Sequence, residues 1–142
     1  MNVFAGTGTG RTIIINLDRD ELLLESITAA LEKEGVKNAV VLGCIGSLQK
    51  AVYNRVDTLA EKLHVEILTV EAPMELCSLQ GVVVDGKPHF HMVFSDLERC
   101  YMGHLEPGCK VLLLAEIMLL EIQDMGLTKQ VDELGVGHFV KK

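Results

Sequence analysis

The sequence has no tryptophan, only four Phe and two Tyr, and no long apolar run. Its longest strongly apolar stretch, residues 111–120, is interrupted by Glu116 and is far below the roughly 20 residues that span a bilayer. Residues 1–10 show no basic start followed by an apolar segment, which argues against a signal peptide. We therefore expect no membrane partner and a cytoplasmic location.

Clusters of basic residues are also missing. Thirteen Lys and Arg stand against twenty Asp and Glu, a net charge of -7. Affinity for the phosphate backbone of DNA depends mainly on clustered Lys and Arg, so this balance opposes DNA binding. A DNA-binding hypothesis stays open only if an oligomer brings basic residues such as Lys50 and Arg55 together.

The four cysteines contain no Cys-x-x-Cys pair, which excludes a zinc ribbon and a thioredoxin-like motif. We expect reduced thiols. With few aromatic residues, the core has to be aliphatic. The length of 142 residues is typical of one domain, so we predict a single domain over residues 1–142, with a core over about 10–122 and a loosely packed tail over 123–142.

One helix is predicted over residues 20–34, where apolar residues recur at three- and four-residue spacing. Asp18 or Asp20 is expected to cap its start, and Gly35 to end it. The other periodic segments alternate or are rich in β-branched residues, which indicates strands. These segments are 11–17, 38–45 with a short run through Tyr53, 65–70, 76–84, 88–94, 101–105 and 110–122.

Two turns suggest how the strands pair. Asp85-Gly86 is typical of a tight hairpin between segments 76–84 and 88–94. Glu106-Pro107-Gly108 predicts a second pair, between segments 101–105 and 110–122. The expected fold is therefore α+β, with a mostly antiparallel mixed sheet and one main helix.

Three histidines form the candidate metal site. His89 and His91 are two residues apart on a predicted strand, so both point to one face, and His104 follows at a distance that lets the next strand return beside them. Three imidazoles with one open position are a known zinc arrangement, and iron, nickel or copper accept the same ligands. The alternative is that these are exposed strand or turn histidines without a metal.

Glu75 and Glu116 lie inside otherwise apolar strand segments, where an unpaired carboxylate is costly. Each is therefore expected to have a partner. One interpretation is a salt bridge or a subunit contact. The other is support of a metal ligand, or general acid–base work beside the metal.

The runs PMELCSLQG (73–81), GKPHFH (86–91), MGHLEPG (102–108) and Ala115-Glu116 together resemble the plants-and-prokaryotes-conserved (PPC) domain family, as does GCIGS (43–47). The resemblance covers about residues 10–122. It implies the α+β fold described above, a homotrimer with sites near subunit boundaries, His89, His91 and His104 as ligands, and supporting roles for Gly103, Glu75 and Glu116. Met102 departs from the glycine of many relatives and is expected to narrow the pocket mouth.

The leading hypothesis is therefore a homotrimeric regulatory domain that binds a metal ion, zinc first, or a small-molecule ligand through three histidines. DNA binding is often attributed to this family, but the sequence carries no AT-hook. The alternative is a metal-dependent hydrolase or lyase in which Glu75 or Glu116 acts as acid or base on a zinc-activated water.

Overall fold

The computed structural model describes residues 1–6 and 8–142, and in these residues it contains eight strands and one helix. The elements are β1 (Gly8–Asp18), α1 (Leu23–Glu34), β2 (Ala39–Val56), β3 (Val65–Val84), β4 (Lys87–Ser95), β5 (Cys100–Leu105), β6 (Lys110–Gln123), β7 (Leu127–Val131) and β8 (Gly137–Lys141).

Six of the strands form one sheet in the order β1-β6-β2-β3-β4-β5, and every pairing within it is antiparallel. The sheet also curls on itself, because β2 pairs with β5 through Tyr53↔Leu105 and Asn54↔His104. Strands β2 to β5 therefore form a closed ring. The predicted α+β class, a mostly antiparallel sheet with one helix, is confirmed.

Strands β2 and β3 are longer than predicted. The segments 38–45 and 65–70, expected as separate strands, are the beginnings of continuous strands that extend to Val56 and Val84. In β3 the pairing passes from Glu71↔Lys50 to Met74↔Leu48, so two residues of β3, one of them Pro73, lie opposite a single residue of β2. A bulge accommodates a proline, which has no N–H to donate, without ending the strand.

The predicted pairing of segments 101–105 and 110–122 is wrong. Strands β5 and β6 lie one after the other along the same edge of β2, where Lys110 pairs with Lys50 and Leu105 pairs with Tyr53. The 18 residues of β2 are enough to pair with both strands in tandem. The turn at Glu106 follows this edge, since its N–H donates to Val52 O at 3.1 Å.

Helix α1 begins later than predicted and without a side-chain cap, so the prediction that Asp18 or Asp20 caps it is wrong. The Asp20 carboxylate instead binds Lys110 Nζ at 2.8 Å and Gln49 Nε2 at 2.9 Å. Gly35 ends the helix in the left-handed conformation (φ 68°), as predicted. Among the described residues, no helix has the length and apolar character needed to cross a membrane.

The last twenty residues do not form the predicted loose tail. They contain the β7–β8 hairpin, which is tied to the β3–β4 turn because Thr128 Oγ1 donates to Asp85 Oδ2 at 3.0 Å and Lys142 Nζ also contacts the Asp85 carboxylate. Leu127 is buried, and Leu63 N donates to Leu134 O at 2.9 Å. Of the glycines in this segment, Gly135 lies in the hairpin turn, where it has φ 87°.

Candidate metal centre

Strand β4 presents its histidines to one face and its core residues to the other. Phe90, Met92 and Phe94 are fully buried, while His89 is half-buried and His91 exposed. This is the alternation that the sequence predicted. Opposite Phe90, β3 approaches closely at Gly81, where a Cβ would overlap the His89 carbonyl oxygen. Gly81 therefore allows the two strands to pack at this point.

His104 reaches the same face through strand register. It pairs directly with His91 across the β4–β5 ladder and with Asn54 across the β5–β2 ladder. The preceding Gly103 permits this contact, because a Cβ there would lie 2.5 Å from Asn54 O and 2.7 Å from Tyr53 Cδ2. Gly103, a predicted site residue, thus acts through close backbone approach and lies beside the pocket.

The three imidazoles form a cluster. One ring nitrogen from each of His89, His91 and His104 lies within 4.8 Å of the other two, and the ring centroids are 5.0 to 5.7 Å apart. Tetrahedral zinc with Zn–N bonds near 2.1 Å places its ligand nitrogens about 3.4 Å apart. Small side-chain rotations close that difference, so the donor set and its placement fit a transition metal.

Burial favours the neutral, metal-binding form of two of these rings. The pKa of His89 is lowered mainly by burial and further by the positive charge of Lys129. Burial also lowers the pKa of His104, against an opposing effect of Glu106, whose Oε1 lies 4.0 Å from His104 Nε2. That Glu106 oxygen also accepts a hydrogen bond from Asn54 Nδ2.

A cavity of about 720 Å³ opens beside the cluster. Its walls are largely apolar, and Met102, 60% exposed, lies on its edge. Two cationic side chains also line it, Arg55 from β2 and Lys129 from β7. Lys129 was not predicted as a site residue, because nothing in the sequence of residues 123–142 indicates that they return to the histidines.

Glu75 and Glu116 are not brought to this cavity. Both side chains are exposed on the single chain, so neither needs the buried partner that was expected. Glu75 pairs with Ser47 and Ser95 in the sheet, and Glu116 lies between β1 and β2 on the outer face. Within one chain they do not support a metal ligand, and the interpretation of Glu75 or Glu116 as acid or base loses its geometric basis there.

Fold and site together define a class: a one-helix, mostly antiparallel domain with a three-histidine cluster at its surface. The sequence profile of the Plants and Prokaryotes Conserved (PCC) domain matches residues 5–123. The chain belongs to this family, as its resemblance to PPC sequences predicted.

Solved structures with the same fold include a metal-containing protein from Archaeoglobus fulgidus, 26% identical with a TM-score of 0.82 over 99% of this chain and all of that one. A plant- and prokaryote-conserved protein from Pyrococcus horikoshii is also 26% identical, with a TM-score of 0.77 over 100% of this chain and 97% of that one. A protein from Bacteroides thetaiotaomicron whose name proposes DNA binding is 16% identical (TM-score 0.76, 98% of both chains), which shows the fold alone.

Among curated proteins, the bifunctional protein GlmU of a Synechococcus strain is 27% identical to this chain over 89% of this chain's length. It spans about a fifth of the length of the curated relatives that it matches. The likeness therefore concerns one segment of those larger proteins.

Proposed function

We propose that this protein binds one divalent transition-metal ion, zinc first, through His89, His91 and His104. The observation that carries the proposal is the convergence of three ring nitrogens within 4.8 Å on one side of a pocket. The metal-containing relative from Archaeoglobus fulgidus, which has the same fold over its whole length, supports it.

The chemistry of the donor set favours a transition metal over calcium or magnesium. Neutral imidazoles are borderline ligands that suit zinc, copper, iron and nickel, whereas calcium and magnesium prefer oxygen ligands. When bound by three histidines, zinc keeps a fourth position for water or a ligand. Here that position would face the cavity, so the proposed function is metal-dependent binding of a small ligand.

Elemental analysis of protein purified without a His tag tests the metal site. The wild-type protein is expected to carry one zinc per chain, and the double variant His89→Ala/His104→Ala to carry almost none. The matched control is His64→Ala/His138→Ala, because these two histidines are exposed and lie near Asp57 and Asp132 instead of the cluster. Equal metal content in the two double variants would contradict the proposal.

We further propose that the chain assembles as a homotrimer through the outer face of β1, β6 and β2. Ile14 and Met118 are direct partners on this face, and both are exposed, at 69% and 42%. Ile45 lies beside Glu116 on the same face and is 59% exposed. Strands that are apolar on both faces are typical of sheets covered on both sides, so a second copy of the chain is expected to cover this one.

Sedimentation or light scattering tests the assembly. The wild-type mass is expected to be three times that of one chain, and Ile14→Arg, which places a charge on the outer face, is expected to give smaller species. Leu97→Arg is the control, because Leu97 is equally apolar and fully exposed, but lies in the β4–β5 turn. A monomeric wild type, or an unchanged mass of Ile14→Arg, would refute the interface.

A further inference from the structure

Lys129 is a cation without a carboxylate beside the histidine cluster. Lys129 and Arg55, the two cations that line the cavity, have no carboxylate within 4.0 Å among the described residues. Lys129 Nζ instead lies 3.5 Å from Nδ1 of His89. An ammonium group only donates hydrogen bonds, so Nδ1 is the acceptor in this contact.

This contact cannot persist when a metal binds to neutral His89. If the metal binds Nδ1, the lone pair that Lys129 uses is occupied. If it binds Nε2, the proton of the neutral ring moves to Nδ1, which then donates and no longer accepts. Either way, metal binding leaves the ammonium group of Lys129 without its acceptor and next to a divalent cation.

The hairpin holds Lys129 in this position. The aliphatic part of the Lys129 side chain crosses β8 at Gly137, where a Cβ would overlap Lys129 Cε. The hairpin is in turn attached to the six-stranded sheet through the contacts of Thr128 and Lys142 with Asp85. Residues 127–141 lie outside the segment that the family profile matches. The charge is therefore placed at the site by tertiary contacts of this chain's own C-terminal hairpin.

The local charge calls for an anion. Three neutral imidazoles leave the full charge of a divalent ion uncompensated, and Lys129 and Arg55 add further positive charge. Among the described residues, Glu106 is the only acid within 4.0 Å of the cluster. Positive potential in a cleft with apolar walls concentrates small anions, even though the whole chain carries a net charge of -7.

The size and apolar lining of the cavity indicate that its ligand also carries a hydrocarbon part. Its 720 Å³ lies within the range of roughly 300–1,000 Å³ typical of small-molecule sites. Besides the histidines, it is lined by Leu63, Val65 and Val136. A phosphate or sulfate alone would leave this apolar surface uncovered.

We propose that the pocket binds a small organic carboxylate with a hydrocarbon chain, and that Lys129 determines this specificity. The carboxylate would occupy the open position of the metal and pair with Lys129, while its chain packs against Leu63, Val65 and Val136. This inference rests on the proposed metal site.

Calorimetric titration with hexanoate tests it in zinc-loaded and in metal-free protein, with hexanol and hexylamine as uncharged and cationic probes of the same length. Zinc content is measured first in the wild type, Lys129→Met, Lys129→Arg and Lys141→Met. Lys141→Met is the matched control, since it removes an exposed lysine from the same hairpin outside the pocket. All four are expected to bind zinc.

Hexanoate is expected to bind the zinc-loaded wild type and Lys141→Met equally, and Lys129→Met on the order of tenfold more weakly or worse, since hydrogen bonds to charged groups contribute about that factor. Lys129→Arg should retain most of the affinity. Equal hexanoate affinity of Lys129→Met and Lys141→Met, or hexanol binding as tightly as hexanoate, would overturn the inference while leaving the metal site intact.

The two proposals fail differently. A wild type that takes up no zinc refutes the proposed function, and the metal-free titration then decides the inference by itself. Hexanoate binding that depends on Lys129 would support a carboxylate site without metal. No binding of hexanoate to metal-free or zinc-treated protein would overturn the carboxylate site as well.

Discussion

Replacing Gly103 by alanine tests whether the close approach of β5 to β2 positions His104. The added methyl group would lie 2.5 Å from Asn54 O and 2.7 Å from Tyr53 Cδ2, whereas unstrained contacts are about 3.5–4.0 Å. Strand β5 would have to move outward by about 1 Å. Overpacking of this kind costs about 1–3 kcal/mol of unfolding free energy.

For a domain of this size, that cost corresponds to a fall in Tm of about 3–12 °C. Because β5 carries His104, zinc affinity is also expected to fall by about tenfold, as when support of a metal ligand is lost. Thermal unfolding of the metal-free protein measures the first effect, and competition with a chromophoric zinc chelator the second.

Gly8→Ala is the control, since a Cβ at Gly8 meets its nearest atoms at an ordinary 3.6 Å. The reasoning is refuted if Gly103→Ala unfolds at the temperature of Gly8→Ala. If it is destabilised but binds zinc as tightly as the wild type, the contact matters for stability and does not position His104.

Two further predictions concern pH. The pKa of Asp85 is lowered, first by its hydrogen bond with Lys142, so its stabilising effect on the hairpin is complete above the usual value of 3.8 and is lost as pH falls through the lowered pKa. Hydrogen exchange should then show β7 and β8 losing protection below pH 3.8 before the six-stranded sheet does. Unchanged protection of β7 and β8 below this pH would contradict a stabilising role of Asp85. In metal-free protein, Lys129→Met is expected to raise the pKa of His89, because the charge of Lys129 is, next to burial, what lowers that pKa most. The pKa of His104 should rise less, because Lys129 has the smallest effect on it. NMR titration of the ring protons measures both, and an unchanged His89 would show that Lys129 does not face it in solution.

The histidine cluster could be predicted because its parts are local. Alternation along a strand places His89 and His91 on one face whatever the strand packs against, and the buried Phe90 and Phe94 on the other face determine which side is the core. His104 required one more element, a returning strand, which its separation from His91 allowed and the motifs shared with PPC sequences supported. Strand register then placed it directly opposite His91.

The acids show where local reasoning fails. Glu75 and Glu116 interrupt apolar segments, which predicts costly burial only if their faces are covered. In the single chain both faces are open, so both carboxylates are exposed. Whether a second copy covers the face of Glu116 is a property of the assembly, which no alternation pattern within one strand contains.

What the sequence alone determined are the main elements before residue 123 and their faces: the strands of the large sheet, one helix, its end at Gly35, and two histidines on one side of β4. These follow from backbone preferences and from the period of neighbouring side chains. Tertiary structure alone decided that β5 and β6 share one edge of β2, and that the C-terminal hairpin brings Lys129 to His89. Such contacts join residues 40 or more positions apart, and they depend on which surfaces bury each other best across the whole chain.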